Sequence, residues 1–155
     1  MKNLKMAFVF ASIMVFGLTV NSYAQQMGKQ TVAQLKESPA GSKIITFINT
    51  VNKGEAVSDE FIQELMSEAL IKKAGLGQLK NIMENDIPEN DGKLTVYMVD
   101  RKERFKYEVY AKGTASEGWL KLEFFMDETR PYKIKGIGID GTEAPEGVGE
   151  PMKID

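Results

Sequence analysis

The sequence predicts an α+β domain, with N-terminal helices packed on a four-stranded antiparallel sheet. Three observations lead there. Apolar residues recur at helical spacing in the first half, as in Ile44, Ile45, Phe47, Ile48 and Val51. From Lys93 the period falls to two, most cleanly in residues 117–127, where Leu120, Leu122, Phe124 and Met126 share one face. The connections between strand-like runs are too short for parallel crossovers, so neighbouring strands must be antiparallel. Helices first and strands afterwards give the α+β arrangement, with helices on one side of the sheet.

The chain opens with Lys2 and Lys5, then an apolar run of 15 residues (6–20), then Ser22-Tyr23-Ala24 with small residues at both cleavage positions. This is the form of a secretory signal peptide, 1–24, cut after Ala24. A membrane anchor is the rival reading, but the run falls short of the ~20 apolar residues that span a bilayer. Without cysteine, a lipid-modified N-terminus is excluded and no disulfide can form. Loss of the leader removes two lysines, leaving 18 basic against 22 acidic residues and a net charge of −4. That balance argues against nucleic acid and against a membrane partner once the leader is gone. The expectation is one exported domain, periplasmic or secreted.

Residues 25–37 are polar and weakly periodic, an arm or a short helix. Ser38-Pro39 reads as N-cap and first-turn proline, and Gly54 as the stop of the first long helix. Ser58 starts a second helix, with Asp59 and Glu60 near its positive end and Phe61, Ile62, Leu65 and Ala69 as its apolar stripe. Gly75 breaks it, and Leu76, Leu79, Ile82 and Met83 suggest a third before Pro88. Strands follow at about 93–100, 104–112, 117–127 and 131–140, turning at Asp100-Arg101-Lys102, at 113–116 and at 128–130. The folded unit is then 38–140. The remainder, 141–155, is rich in Gly, Pro and Glu and reads as a flexible, linker-like tail.

In the last strand Ile134 has the opposite parity to Ile137 and Ile139. A bulge at Gly136 would bring all three to the core face; otherwise both faces are partly covered there. On the 104–112 strand Phe105, Tyr107, Val109 and Ala111 face the core, and Arg104, Lys106, Glu108 and Tyr110 face away. Partners across antiparallel strands have residue numbers of constant sum. A sum of 229 pairs Tyr110 with Trp119 and sets two opposite-charge pairs, whereas 231 sets Glu108 against Glu123. The sequence therefore favours 229. Tyr97, Tyr110, Trp119 and Phe125 then lie on the outer face, either as ordinary cross-strand pairs or as an aromatic patch that binds a partner.

The chain has no His and no Cys, so a Ser-His-Asp triad, thiol catalysis and most zinc sites are excluded. It lacks GxSxG and SxxK as well. Gly136-Ile-Gly138-Ile-Asp-Gly141 spells GxGxxG, but within a strand rather than at the opening of a helix, so it is no dinucleotide motif. The acidic stretch 84–92 fails as an EF-hand, because Ile87 and Met98 fall on the first and last ligand positions. No cofactor, metal site or catalytic set is expected.

Three segments together, FINTVNKGE (47–55), GWLKLEFFMD (118–127) and RPYKIKGIGI (130–139), resemble the NTF2-like domain. The likeness is to the version that precedes exported bacterial serine hydrolases of beta-lactamase or tail-specific peptidase type. It covers about residues 40–140 and implies a curved four-stranded sheet wrapped around the first helix, forming a cone open to a small ligand. The 141–155 tail looks like that family's linker. No catalytic residue of the hydrolases has a counterpart here, so their chemistry does not carry over.

Two functions are compatible with this reading. One is a non-catalytic binding or accessory module that engages a protein, peptide or small ligand through the cone or the aromatic face, with a homodimer through the sheet face compatible with it. The other is a small isomerase- or dehydratase-type enzyme. That would require an inward-facing carboxylate beside a tyrosine, since a Tyr/Asp pair can move protons without His.

Overall fold

A computed structural model describes residues 27–154; the leader read at 1–24 lies outside them. The chain is α+β. Five antiparallel strands form one open sheet in sequence order: β1 (Gly28–Lys29), β2 (Leu94–Glu103), β3 (Lys106–Gly113), β4 (Trp119–Met126) and β5 (Ile134–Thr142). Four were expected. The fifth comes from the N-terminal arm, where Gly28 and Lys29 pair with Arg101 and Asp100 on the free edge of β2. The rest of the arm is a helix, α1 (Val32–Glu37), opened by a reciprocal capping box between Thr31 and Gln34 and anchored by buried Leu35.

The long helix α2 (Pro39–Lys53) begins and ends where its sequence says. The Ser38 hydroxyl accepts the Gly41 N–H at 2.9 Å, Pro39 gives up no hydrogen bond in the first turn, and Gly54 takes the left-handed conformation (φ 63°) that terminates it. Its apolar face, Ile44, Phe47, Ile48 and Val51, lies within the buried core, and the Phe47 ring meets Phe124 of β4 edge-on at 5.3 Å. Asn52 ties the far end of α2 to the sheet by accepting the Leu94 N–H (2.7 Å) and donating to its carbonyl (2.9 Å).

The second helix expected from Ser58 stops early, as α3 (Asp59–Leu65), and a new one, α4 (Glu68–Ala74), starts after a gap of two residues. The break has a tertiary cause. Met66 bridges Ile134, and the Ser67 N–H donates to the Ile134 carbonyl at 2.9 Å, so the chain joins β5 instead of continuing its turn. Ser67 then caps α4 through its hydroxyl. Beyond Gly75, α5 (Leu76–Asn81) widens into a π-turn (Ile82–Asp86) and runs through Pro88 as α6 (Ile87–Asn90). The expected stop before Pro88 is therefore not made. In the wider turn the Ile87 N–H reaches the Ile82 carbonyl, so the missing donor at Pro88 falls in the first turn of α6, where it costs little.

The β3–β4 register is 231, not 229: Glu108 faces Glu123, Tyr110 faces Lys121 and Lys112 faces Trp119. The connecting loop decides this. Thr114 and Ala115 donate to the carbonyls of Lys93 and Asp91, while the Thr114 hydroxyl accepts the Lys93 N–H, holding the loop to the start of β2. The facing carboxylates are offset by lysines on both sides.

Strand β2 continues through the expected turn Asp100-Arg101-Lys102 to Glu103, with register shifts between Val96 and Met98 and between Arg101 and Glu103. Another shift lies between Phe125 and Met126, where β5 carries the extra residue Lys135 next to Gly136. It puts Ile134, Ile137 and Ile139 on the core face; Ile134 is buried and Ile137 packs on the core, but Ile139 at the sheet edge is exposed. Residues 143–154 carry no regular structure, yet they are docked rather than loose. The Met152 N–H donates to Val96, Asn49 donates to the Ile154 carbonyl, and Ile154 is buried.

Candidate functional site: the outer face of the sheet

Alternation along β2, β3 and β4 sends one side chain in two away from the helices. The outer face so formed has a charged middle and two aromatic ends. In the middle, Lys106 lies 3.1 Å from Glu123 and 3.9 Å from Glu108, and Lys121 lies 3.6 Å from Glu123. Lys102, the extra residue of the β2 irregularity, bridges Asp100 (2.7 Å) and Glu108 (3.6 Å). The Tyr110 hydroxyl donates to Glu108 at 2.8 Å. These contacts show in the proton affinities. Its hydrogen bond to Lys106 lowers the Glu123 pKa, and hydrogen bonds to Glu123 and Asp100 raise those of Lys106 and Lys102. Burial, and then the bond to Glu108, raises that of Tyr110.

At one end the Tyr97 and Trp119 rings meet edge-on at 5.0 Å, and the Lys112 ammonium lies 4.8 Å from the Trp119 ring centre. Tyr97 sits on β2 and Trp119 on β4, so the contact reaches over β3. At the other end Phe125, 36% exposed, carries Lys106 at 5.3 Å and covers Gly136, where an added Cβ would stand 3.3 Å from its ring. Trp119 and Phe125 lie six positions apart along β4, roughly 20 Å. The four aromatics picked from sequence thus do not form one patch. Tyr97 and Trp119 come together, Tyr110 belongs to the charged ladder, and Phe125 stands alone.

The inner face holds a residue that sequence reasoning assigned to a turn. Arg101 is 2% exposed, opposite Tyr107, with its guanidinium carbon 5.5 Å from that ring's centre. One terminal nitrogen donates to the Arg104 carbonyl; Nε and Nη1 have no hydrogen-bond partner. Burial pushes the Tyr107 hydroxyl up, with Arg101 and the Ser38 hydroxyl acting against it. The only buried carboxylate among the described residues, Glu108, lies on the outer face. The signal for an inward Arg101 was hidden, because only the irregularity around Tyr97 gives it core parity.

Among the described residues no group of acidic side chains is placed to hold a metal ion, and no helix is long and apolar enough to cross a membrane. Comparison with protein-family models, with curated proteins and with solved structures finds no match to this chain.

Proposed function

We propose that this chain is an exported, non-catalytic binding module of NTF2-like kind, engaging a protein or peptide through the outer face of its sheet. One observation carries the reading: at the Tyr97–Trp119–Lys112 end, two half-buried rings lie beside an ammonium that has no ion-pair partner among the described residues, on the face of the sheet opposite the buried core. Rings of this kind offer large contact area at small entropic cost, and a cation on a ring face selects acidic or carbonyl-rich partners. The self-neutralised ladder beside it adds hydrogen-bonding groups for register and little net attraction. The isomerase alternative needs a carboxylate on the inner face, and the polar groups buried there are Arg101 and Tyr107 instead.

Trp119 is the single tryptophan of the chain, so its emission reports directly on this end of the face. A partner recovered from the exported fraction should shift that emission on titration. Trp119→Phe and Lys112→Ala should weaken its binding while the fold is retained. Loss of stability in these variants with partner affinity unchanged would return the cluster to plain strand pairing. Export is checked separately: the N-terminus of the mature product should be Gln25.

A further inference from the structure

The inner face poses a separate question, independent of the outer-face reading. Arg101 is deeply buried, and no described carboxylate is paired with it. A buried guanidinium left with free N–H groups costs more than its packing returns. Its surroundings make matters worse. Tyr107, whose ring it faces at 5.5 Å, lies beside Ser38, the N-cap of the 15-residue helix α2, and the Ser38 hydroxyl works against the rise that burial gives the Tyr107 pKa. The positive end of that helix, which has no acidic residue in its first turn, thus lies on the Tyr107 side of the guanidinium.

We propose that Arg101 anchors an internal site for the carboxylate group of a small ligand, bounded by Tyr107, the start of α2 and the β2–β3 turn. Nε and Nη1 are the free donors, and the helix N-terminus supplies a second favourable field for an anion. A carboxylate suits the site because a single guanidinium balances a single negative charge. A phosphate dianion would need a further cation. Two lysines of the helix side, Lys43 and Lys133, are engaged elsewhere, on the Glu64 and Gln63 carbonyls. The cover is the turn itself: Nη2 holds the Arg104 carbonyl, and Phe105 stacks on Tyr132 at 6.5 Å.

The test is a titration of the leaderless, 15N-labelled chain with sodium formate, acetate and phosphate in turn, at constant chloride. The Arg101 Nε–H signal is identified by its absence from Arg101→Met, or from Arg101→Lys should the first variant not fold. It should shift saturably with formate and acetate, and the unfolding midpoint of the parent should rise over the same range. That rise should vanish in the variant. A saturable response to phosphate alone overturns the carboxylate assignment. A signal unmoved by all three anions, or an equal rise of midpoint in the variant, overturns the site.

Discussion

The two faces of this sheet treat charge in opposite ways. Outside, Lys102, Lys106 and Lys121 each stand within 4 Å of a carboxylate, and the facing acids Glu108 and Glu123 are tolerable because those cations flank them. Inside, a single guanidinium is buried against Tyr107 with two nitrogens unpaired. The contrast shows that strand alternation sets which side a residue faces and nothing more. Whether a charge is compensated depends on neighbours that come from other strands. The outer ladder compensates itself, whereas the inner site is complete only with a group from elsewhere.

The largest effect should come from adjacent residues of β4 that face opposite ways. Phe124→Ala removes a fully buried ring in edge contact with Phe47 and should cost about 3–5 kcal/mol, by transfer and cavity terms together. Phe125→Ala trims a ring already over a third exposed and should cost about 1 kcal/mol or less. Denaturant unfolding of the pair measures the difference. Near-equal losses would mean that the outer face is covered in solution, and the comparison of faces would fail.

The same contrast explains what the sequence made readable. Helix α2, its caps and its buried stripe were legible because Ser38, Pro39 and Gly54 act locally and the apolar period is unbroken. The core faces of β3 and β4 were legible from alternation alone. What failed depended on distant contacts. The register turned on a loop bound to Asp91 and Lys93, and the break at Met66 on a bridge to β5. The arm was read as loose or a short helix and the tail as flexible; the short helix is there, but the pairing of residues 28–30 and of Met152 with the edge of β2, and the burial of Leu35 and Ile154, were not foreseen. For the candidate site, each aromatic was rightly placed on the outer face. Their grouping was not, because Trp119 meets Tyr97 two strands away rather than Tyr110 next to it.

A second, smaller effect tests the compensation itself. Lys106→Met leaves Glu108 and Glu123 facing each other with their shared cation gone. The variant should be measurably less stable than the parent, though by only a fraction of the Phe124→Ala loss, and adding Glu123→Gln should restore much of it. A double-mutant cycle reads the coupling. If the two changes simply add, the lysine is a surface ornament and the like-charge pair is tolerated by solvent alone.

The smallest effect is a pH dependence whose sign follows from the same contacts. Lys106, then Lys121, hold the Glu123 carboxyl below its ordinary value of 4.5 in the folded chain. The unfolded chain therefore takes up a proton there first as the pH falls. Glu123 contributes its stability fully above the unfolded value, and that contribution fades as the pH drops through the lower, folded one. The parent should accordingly lose stability on acidification below about pH 4.5 more steeply than Glu123→Gln does. The two curves should differ by a constant at neutral pH, where no proton moves at this site. Added salt should shrink the difference, since these groups are only partly shielded from solvent. Parallel curves down to the acid limit would mean that the lysines do not hold this carboxylate in solution, and the outer face would then be no better compensated than the inner one.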